Sequence, residues 1–393
     1  MQALRISHYS LTTALGRGAQ AQRRALLDER SGLTPCTDFG DAQLPAWIGR
    51  VAGLEDSPLP KPLAAFECRN NRLAWLGLQQ DGLLEAVAAL RQRIGAQRIG
   101  LFLGTSTSGV YQTELAYHAR NAAGELPEWY SYPHTQNCYS VGYFVRTALE
   151  LTGPSLVIST ACSSSAKVFA CAARYIQAGL IDAAVVGGVD SLCLTTLYGF
   201  SALQLVSPQP CRPADAARDG ISIGEAAGFA VLEKDAGPGV RLLGYGESSD
   251  AHHMSAPDPE GAGALLSMQR ALNRAGLAAD EIDYINLHGT ATQANDLSEG
   301  KAVHRLFGTR VPGSSTKAWT GHCLGAAGIV ETLFCALALE HGFAPKSLNT
   351  HNVDAQIPNQ ILLQTRRQPQ RYALTNSFGF GGSNCSLILG KAA

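Results

Sequence analysis

The chain has 393 residues, of which 46% are hydrophobic and 16% are charged, and its formal net charge is −1. This composition excludes an intrinsically disordered chain, because it supplies enough apolar surface for a large core. The near-neutral charge excludes a global attraction to nucleic acid or to an anionic membrane, so an acidic partner would have to dock on a local basic patch.

The ten cysteines are scattered along the chain and include no CxxC pair. We therefore expect free thiols in a reducing compartment, the cytoplasm. The first residues, MQALRISHYSLTTALGRG, are polar throughout and do not predict a signal peptide. The apolar runs of the sequence are too short to predict a membrane span.

Strand-like and helix-like segments alternate from about residue 99, which predicts an α/β fold. Strands are predicted at residues 101–104, 156–159, 183–187, 229–232, 282–287 and 386–389. Helices are predicted at residues 84–94, 163–178, 263–275, 297–306 and 324–341. Residues 32–61 are rich in Pro, Gly and Asp and predict a loop or cap, and residues 111–143 predict an irregular insertion.

Cys162 follows an apolar, β-branched stretch and precedes helically spaced apolar residues that stop at Gly179. This pattern predicts that the thiol lies where a strand turns into a helix. The N–H groups and dipole of a helix N-terminus favour the thiolate, which is the nucleophilic form. A single cysteine is nevertheless more often a buried structural residue, so a catalytic role for Cys162 depends on what the other segments of the chain contain.

A faint internal repeat is present. Ser159–Thr160 leads into the helix that ends before Gly179, and Ser315–Thr316 leads into a second small-residue helix that ends at Gly342. Two copies of one βα unit indicate duplication, although chance similarity in a Ser/Ala-rich sequence explains the repeat equally well.

Two further segments carry candidate catalytic side chains. His288 ends a predicted strand and is followed by Thr290 and Thr292, at the kind of strand-end crevice where α/β proteins bind ligands. Lys317 and His322 flank a glycine turn, and a lysine in an apolar segment is costly to bury without a partner or a role. A solvent-facing histidine and a surface lysine remain the alternatives.

The segment NSFGFGGSNCSLILG, residues 376–390, resembles a phosphate loop superficially. Its spacing is not GxGxxG, and a strand rather than a helix follows, so a dinucleotide site is excluded. Consecutive glycines here predict a backbone that passes close to a reacting group and offers it an N–H.

Six motifs occur in one order along the chain: TACSSS, CRPADAARDG, GEAAG, HGTATxxxD, STKxxxGH and GFGGSN. In this order they resemble the β-ketoacyl-acyl carrier protein synthases of the thiolase superfamily over nearly the whole chain. The resemblance implies a layered αβαβα sandwich built from a duplicated α/β motif. It implies an N-terminal half, residues 1–236 with cap insertions, that carries the nucleophile, and a C-terminal half, residues 237–393, that carries the histidines and the lysine.

The resemblance implies a decarboxylative Claisen condensation with no metal and no cofactor, on substrates held by the phosphopantetheine arm of acyl carrier protein. The implied catalytic residues are Cys162 as the acyl-carrying nucleophile, His288 and His322 as hydrogen-bond donors, and Lys317 as their electrostatic partner. The implied remaining site consists of an oxyanion hole from the N–H groups of Cys162 and Phe380, supporting acids Asp296 and Glu331, and substrate-binding residues Thr290, Thr292, Thr107 and Phe200.

Relatives of other classes differ at these positions. An initiating synthase that uses acyl-CoA would carry Cys-His-Asn, and a thiolase would carry a second catalytic cysteine near the C-terminal glycine loop. His322 favours the elongating class, while Cys323 and Cys385 are expected to be packing residues. A thiolase stays the second enzymatic alternative, and a non-catalytic chain-length subunit, which would typically lack the nucleophile, is the competing class.

Three departures from the family pattern predict a specialised polyketide, polyene or similar synthase, with housekeeping fatty-acid elongation as the alternative. Thr107 replaces a bulky apolar residue, Ala214 replaces an aromatic one, and residues 131–138 are unusually polar. The expected partners are acyl carrier protein and a second subunit, either a copy of this chain or a related ketosynthase or chain-length subunit. Lys61, Arg69 and Arg72 are candidate cations for carrier docking.

Overall fold

The computed structural model describes residues 1–37, 39, 40, 42–234 and 237–391. Numbered in chain order, the strands are β1 Leu4–Thr13, β2 Gly16–Arg17, β3 Thr34–Pro35, β4 Trp47–Gly49, β5 Ile99–Gly104, β6 Ser155–Ile158, β7 Ala183–Asp190, β8 Ile223–Gly224, β9 Ala226–Glu233, β10 Val240–Ser249, β11 Tyr284–Asn286, β12 Gly313–Ser314, β13 Tyr372–Gly379 and β14 Ser383–Lys391. The α-helices are α1 Ala19–Leu27, α2 Arg69–Leu78, α3 Leu83–Ile94, α4 Val110–His118, α5 Ser140–Ala148, α6 Ser164–Gln177, α7 Leu194–Ala202, α8 Ala262–Ala275, α9 Gln293–Phe307, α10 Lys317–Thr320 and α11 Ala327–His341.

The main sheet contains the same five-strand pattern twice. One half runs β1-β9-β7-β5-β6 and the other β10-β14-β13-β11-β12, and the pairing of β1 with β10 joins them. In each half the first two neighbouring pairs are antiparallel and the next two are parallel. The topology therefore confirms the duplication that the Ser-Thr repeat indicated.

In chain order, α6 follows β6 and α11 follows β12, and each of these is the third strand of its five-strand half. The two helices pack against each other between the halves. A Cβ added at Gly328 of α11 would lie 2.5 Å from the backbone nitrogen of Ala166 in α6, so small residues let the two helices touch. One apolar core surrounds this pair, a second packs α2, α3 and α5 on the N-terminal half, and a third packs α8 and α9 on the C-terminal half. The result is the predicted αβαβα layering.

The irregular insertion predicted at residues 111–143 is wrong in part. It contains most of α4, a π-helical turn at Tyr132–Gln136 and the start of α5. The described residues of the predicted loop or cap at 32–61, which exclude 38 and 41, are largely irregular but include β3 and β4, and β4 pairs with β8 beside the site described below.

The segment Leu324–His341, a 3₁₀ turn followed by α11, is long and apolar enough to cross a membrane by length and composition alone. It is 89% buried inside the protein, as a core helix is. The predicted boundary between the halves falls at residue 236, which lies outside the described residues, and it stays a prediction.

Candidate active site

Cys162 lies in the short turn between β6, which ends at Ile158, and α6, which begins at Ser164. The preceding residue, Ala161, has a φ of +51°, a conformation that a non-glycine residue adopts only when its surroundings hold it. The backbone N–H of Ser164 donates to the carbonyl of Ala161 at 3.1 Å. The turn places the thiol at the start of the helix, as the sequence predicted.

The glycine loop of residues 379–382 passes directly over this turn. A Cβ at Gly379 would lie 2.9 Å from the carbonyl oxygen of Thr160 and 3.2 Å from the nitrogen of Cys162, so the close approach requires glycine. The backbone N–H groups of Phe380 and of Cys162 itself both act to lower the pKa of the Cys162 thiol. The predicted close passage of the glycine loop is therefore observed.

His322 and His288 complete a buried cluster with the thiol. Nε2 of His322 lies 3.0 Å from Sγ of Cys162. The two imidazole rings meet edge to face with centroids 5.4 Å apart. The backbone of His322 is held on both sides, because its N–H donates to Ser222 and its carbonyl accepts from Gly224, at 2.7 and 3.0 Å.

Lys317 lies behind the two histidines and is 2% exposed. Its ammonium donates to the carbonyl oxygen of His288 and to Glu331, and it lies 3.3 Å from Nδ1 of His288. The buried lysine thus has the partners that its burial requires.

Burial and the Lys317 charge lower the pKa of both His288 and His322 well below the usual value, so both imidazoles are neutral near pH ~7. Burial also raises the pKa of Cys162 to about 11, although Lys317 and the facing N–H groups lower it. The expectation that the helix N-terminus leaves a thiolate is not met, because desolvation outweighs it. The thiol is therefore protonated beside a neutral histidine that can accept its proton.

The ligand atoms of Cys162, His288 and His322 lie within 4.8 Å of one another, a spacing compatible with a metal ion. The Lys317 ammonium beside His288 opposes a cation there and favours an anionic group instead. The chemistry of the donor set therefore fits a site that stabilises negative charge.

Glu299 is a residue that the sequence reasoning missed. Its carboxylate accepts from the backbone N–H groups of His288 and Gly289, both at 2.8 Å, and from the amide of Asn376 at 3.0 Å. Burial raises the pKa of Glu299 to about 7. Its position three residues after Asp296 places both acids on one face of α9, and that spacing was the signal available in the sequence.

The two predicted supporting acids lie in different places. Glu331 contacts Lys317 directly. Asp296 does not contact the cluster, but accepts from the N–H groups of Ala214 and Ala291 at 2.8 and 3.2 Å and so joins the loops beside it.

A cavity of about 440 Å³ leads from the surface to Cys162. His288, His322, Thr290, Thr292, Phe200 and Phe380 all line it. The hydroxyls of Thr290 and Thr292 lie 2.9 Å apart, and the rings of Phe200 and Phe380 lie 5.7 Å apart. Cys162 is the one cysteine among the described lining residues, which disfavours a thiolase.

Thr107 is not among the residues that line this cavity. It is 3% exposed, and its hydroxyl donates to Asp190 at 2.8 Å. Its role in substrate binding stays a prediction.

Two further thiols next to the site motifs, Cys323 and Cys385, are buried, whereas Cys138 is exposed. None of the ten cysteines, all of which lie in the described part of the chain, forms a disulfide. Burial raises the pKa of Cys323 to about 12, and it raises the pKa of Cys385 further. Both side chains are buried, consistent with packing residues.

Comparison with known proteins identifies the family. Residues 69–236 match the N-terminal domain of β-ketoacyl synthases and residues 240–351 match the C-terminal domain. The 3-oxoacyl-(acyl-carrier-protein) synthase 2 of Coxiella burnetii is 31% identical over 98% of both chains. The chain belongs to the β-ketoacyl synthase family. The corresponding synthase 2 of Rhizobium meliloti is 44% identical to this β-ketoacyl synthase over 61% of each chain.

Solved structures of ketosynthases share the whole fold of this β-ketoacyl synthase. The ketosynthase ApeO of Xenorhabdus doucetiae, in complex with its chain length factor ApeC, is 36% identical with a TM-score of 0.91, covering 100% of this chain and 98% of the other. The β-ketoacyl synthase of Burkholderia phymatum is 28% identical with a TM-score of 0.90 over the full length of both chains. The ishigamide ketosynthase/chain length factor is 25% identical with a TM-score of 0.91, also over both full lengths.

Proposed function

We propose that this β-ketoacyl synthase condenses an acyl group held on Cys162 with a malonyl thioester on acyl carrier protein. The observation that carries the proposal is the buried cluster of Cys162, His322, His288 and Lys317 at the end of a cavity that opens to solvent. The cluster supplies a nucleophile, a proton acceptor next to it and a fixed positive charge.

In the first half-reaction the Cys162 sulfur attacks the acyl thioester carbonyl and its proton passes to His322, 3.0 Å away. The N–H groups of Cys162 and Phe380 face the oxyanion of the tetrahedral intermediate. Collapse breaks the bond to the phosphopantetheine sulfur, which takes up the proton and leaves as a thiol. The acyl group remains on Cys162.

In the second half-reaction the malonyl thioester loses CO₂, and negative charge develops on its thioester oxygen. Nδ1 of His288 faces the Lys317 ammonium and accepts from it, so Nε2 of His288 carries the proton and can donate to that oxygen. His322, neutral again after it has returned the Cys162 proton to the departing sulfur, is the second donor in the tautomer that carries its proton on Nε2. The resulting carbanion attacks the acyl-cysteine carbonyl, a carbon–carbon bond forms, and the Cys162 sulfur leaves as a thiolate that takes up one proton from solvent.

The other residue roles that we propose rest on which side chains line the cavity and which contact the cluster. Glu331 holds Lys317, Asp296 joins the loops beside the cluster, and Thr290 and Thr292 contact the pantetheine arm. Phe200 contacts the substrate from the cavity wall, and a substrate contact of Thr107, which does not line the cavity, rests on the family resemblance alone. No cofactor or metal beyond the carrier's own arm takes part. The halves 1–236 and 237–393 each supply one part of this site.

A specialised polyketide, polyene or related pathway in the cytoplasm is the setting we propose. Thr107, Ala214 and the polar segment 131–138 support it, as does the similarity to ApeO, a ketosynthase solved with its chain length factor. Housekeeping elongation is the alternative, since the curated relatives named above are 3-oxoacyl-(acyl-carrier-protein) synthases 2.

The proposed partners are acyl carrier protein and a second subunit, a copy of this chain or a related chain-length subunit. The edge strand β6 carries half-exposed residues, and Tyr117, Trp129 and Tyr132 expose an aromatic surface of the kind enriched at protein interfaces. Arg69 is wrong as a carrier-docking cation, because it is buried against Glu225. Lys61 is exposed and stays a candidate.

Reconstitution with acyl-loaded and malonyl-loaded carrier protein tests the function. We expect CO₂ release and a β-ketoacyl product two carbons longer than the donor, and no β-ketoacyl product with Cys162→Ala. Carbon–carbon bond formation from two acetyl-CoA molecules without malonyl carrier would instead show a thiolase. Equal turnover of saturated and unsaturated donors would contradict the specialised pathway while leaving the reaction intact.

A further inference from the structure

Asp190 is the last residue of β7, and its side chain is fully buried at 0% exposure. Its carboxylate accepts from three backbone N–H groups, those of Ser106, Thr107 and Gly325, at 2.6 to 3.0 Å. It also accepts from the hydroxyls of Thr105, Ser106 and Thr107 at 2.6 to 2.8 Å. All of these donors are uncharged, so hydrogen bonds alone compensate its burial.

These donors come from two segments that are far apart in the chain. Residues 105–108 follow β5, and Gly325 belongs to the turn Leu324–Ala326 before α11. The N–H of Gly325 donates to Asp190 at 2.6 Å and to the Ser106 hydroxyl at 3.1 Å. A Cβ at Gly325 would lie 2.7 Å from the carboxylate, so Asp190 directly ties the turn to the loop.

Both segments continue into the active site. Gly325 follows His322 by three residues, through Leu324, which is held at a φ of +49°. On the other side, Gly104 at the end of β5 packs against the first turn of α6, where an added Cβ would lie 2.4 Å from the nitrogen of Ser165. Asp190 therefore stands between the segment that carries His322 and the helix start that carries Cys162.

We infer that Asp190 is a positioning residue that sets the 3.0 Å approach of His322 Nε2 to the Cys162 sulfur. The inference rests on the proposed nucleophilic role of Cys162. Asp190 touches neither the thiol nor the cavity, and it acts through the turn that fixes where the His322 ring lies.

Asp190→Asn removes this function with little change of volume. Each carboxylate oxygen faces at least three donors, so an amide nitrogen at either position meets N–H groups that it cannot accept from. Hydroxyls can rotate to adapt, but the N–H groups of Gly325 and Thr107 cannot. The variant therefore loosens the connection between the turn that contains Gly325 and the loop of residues 105–108.

The experiment measures alkylation of Cys162 by iodoacetamide, followed by mass spectrometry of the peptide that contains Cys162. This readout needs no substrate, so it is separate from the proposed synthase activity. The variants are Asp190→Asn, His322→Ala and the double variant. Asp182→Asn is the matched control, because Asp182 is a half-exposed acid that pairs with Arg98 at the surface.

We expect Asp190→Asn to slow alkylation about five- to tenfold near neutral pH, and the double variant to react no more slowly than His322→Ala alone. Asp182→Asn should react like the wild type. A rate for Asp190→Asn equal to the wild type, or a full additional loss in the His322→Ala background, would overturn the inference.

Ser106→Ala carries the same test should Asp190→Asn fail to fold, because Ser106 is exposed and loses only a hydroxyl. It should slow alkylation about two- to threefold, again only when His322 is present. An equal slowing in the His322→Ala background would contradict the positioning role. Normal alkylation with no acyl transfer would instead reject the proposed synthase function alone.

Discussion

The ammonium of Lys317 and the carboxylate of Glu331 form an ion pair that is almost fully shielded from solvent, with side chains 2% and 3% exposed. This pair lies behind His288, and it explains how a lysine can be buried in an apolar segment. Its positive charge also helps keep both active-site histidines neutral.

Removal of one partner of this pair should be strongly destabilising. Glu331→Ala leaves the Lys317 ammonium buried without its counter-charge, and we expect a loss of about 3–5 kcal/mol in the free energy of unfolding. Denaturant titration measures it. Glu29→Ala, which breaks the surface pair with Lys346, is the control and should cost about 0–1 kcal/mol. Equal losses for the two variants would show that Lys317–Glu331 is not a buried pair in solution.

Acidification should weaken the fold through His322. Its pKa is lowered in the folded state, so below pH ~6.5 this histidine binds a proton in the unfolded chain but not in the native protein. The stability present above this pH therefore falls with acidification, by up to about 1.4 kcal/mol per pH unit for one histidine. The raised pKa values of Glu299 and Glu331 have the opposite effect on how stability depends on pH. The contribution of His322 therefore has to be measured against a variant that lacks its imidazole.

His322→Gln isolates this contribution. Its stability should fall less steeply between pH ~7 and pH ~5.5 than that of the wild type, as measured by denaturant unfolding at each pH. Identical slopes for the two proteins would mean that His322 titrates normally in the fold.

Two glycine substitutions should have opposite effects. A Cβ at Gly224 would lie 2.1 Å from the carbonyl oxygen of Thr320, beside the His322 turn, so Gly224→Ala should destabilise by at least about 1–3 kcal/mol. Gly199 lies within α7 with no atom within 4 Å of an added Cβ, so Gly199→Ala should stabilise by about 0.5–1 kcal/mol. Thermal unfolding compares them, and destabilisation by Gly199→Ala would contradict the open space assigned there.

Glu299 should matter for the second half-reaction. Glu299→Ala leaves the N–H groups of His288 and Gly289 and the Asn376 amide without their acceptor, at a cost of about 1–3 kcal/mol for each unpaired group. We expect malonyl decarboxylation to fall more than tenfold while acyl transfer to Cys162 changes less, because the role proposed for His288 is in the second step. Equal losses in both steps would contradict this assignment, and Glu281→Ala, in the 3₁₀ turn Ala279–Glu281 where the carboxylate accepts only from the N–H of Ala278 among the described residues, is the control.

The sequence predicted much of the fold because its strands and helices carry clear periodicities. The predicted helices at 163–178 and 263–275 match α6 and α8 within one residue at each end. By contrast, β1 was missed because its residues, LRISHYSLTT, include polar ones that are buried by neighbouring strands on both sides. Such pairing is set by distant parts of the chain and is absent from local periodicity.

The candidate site was predictable as a set of residues, but its electrostatics were not. Cys162, His288, Lys317 and His322 were identified from motifs and meet in one cluster. The prediction of a thiolate is not met, because burial raises the pKa of Cys162. The extent of that burial depends on how completely the surrounding helices close over the thiol. Glu299 and Asp190 were missed because their importance lies in backbone N–H groups brought together by the fold.

Intact-protein mass spectrometry after incubation with acyl-loaded carrier protein tests the nucleophile most directly. The wild type should gain the mass of one acyl group and Cys162→Ala should gain none, while Cys138→Ala, which removes an exposed thiol, should be acylated like the wild type. Absence of an adduct on the wild type, or an undiminished adduct on Cys162→Ala, would contradict the assignment of Cys162 as the acyl-carrying residue.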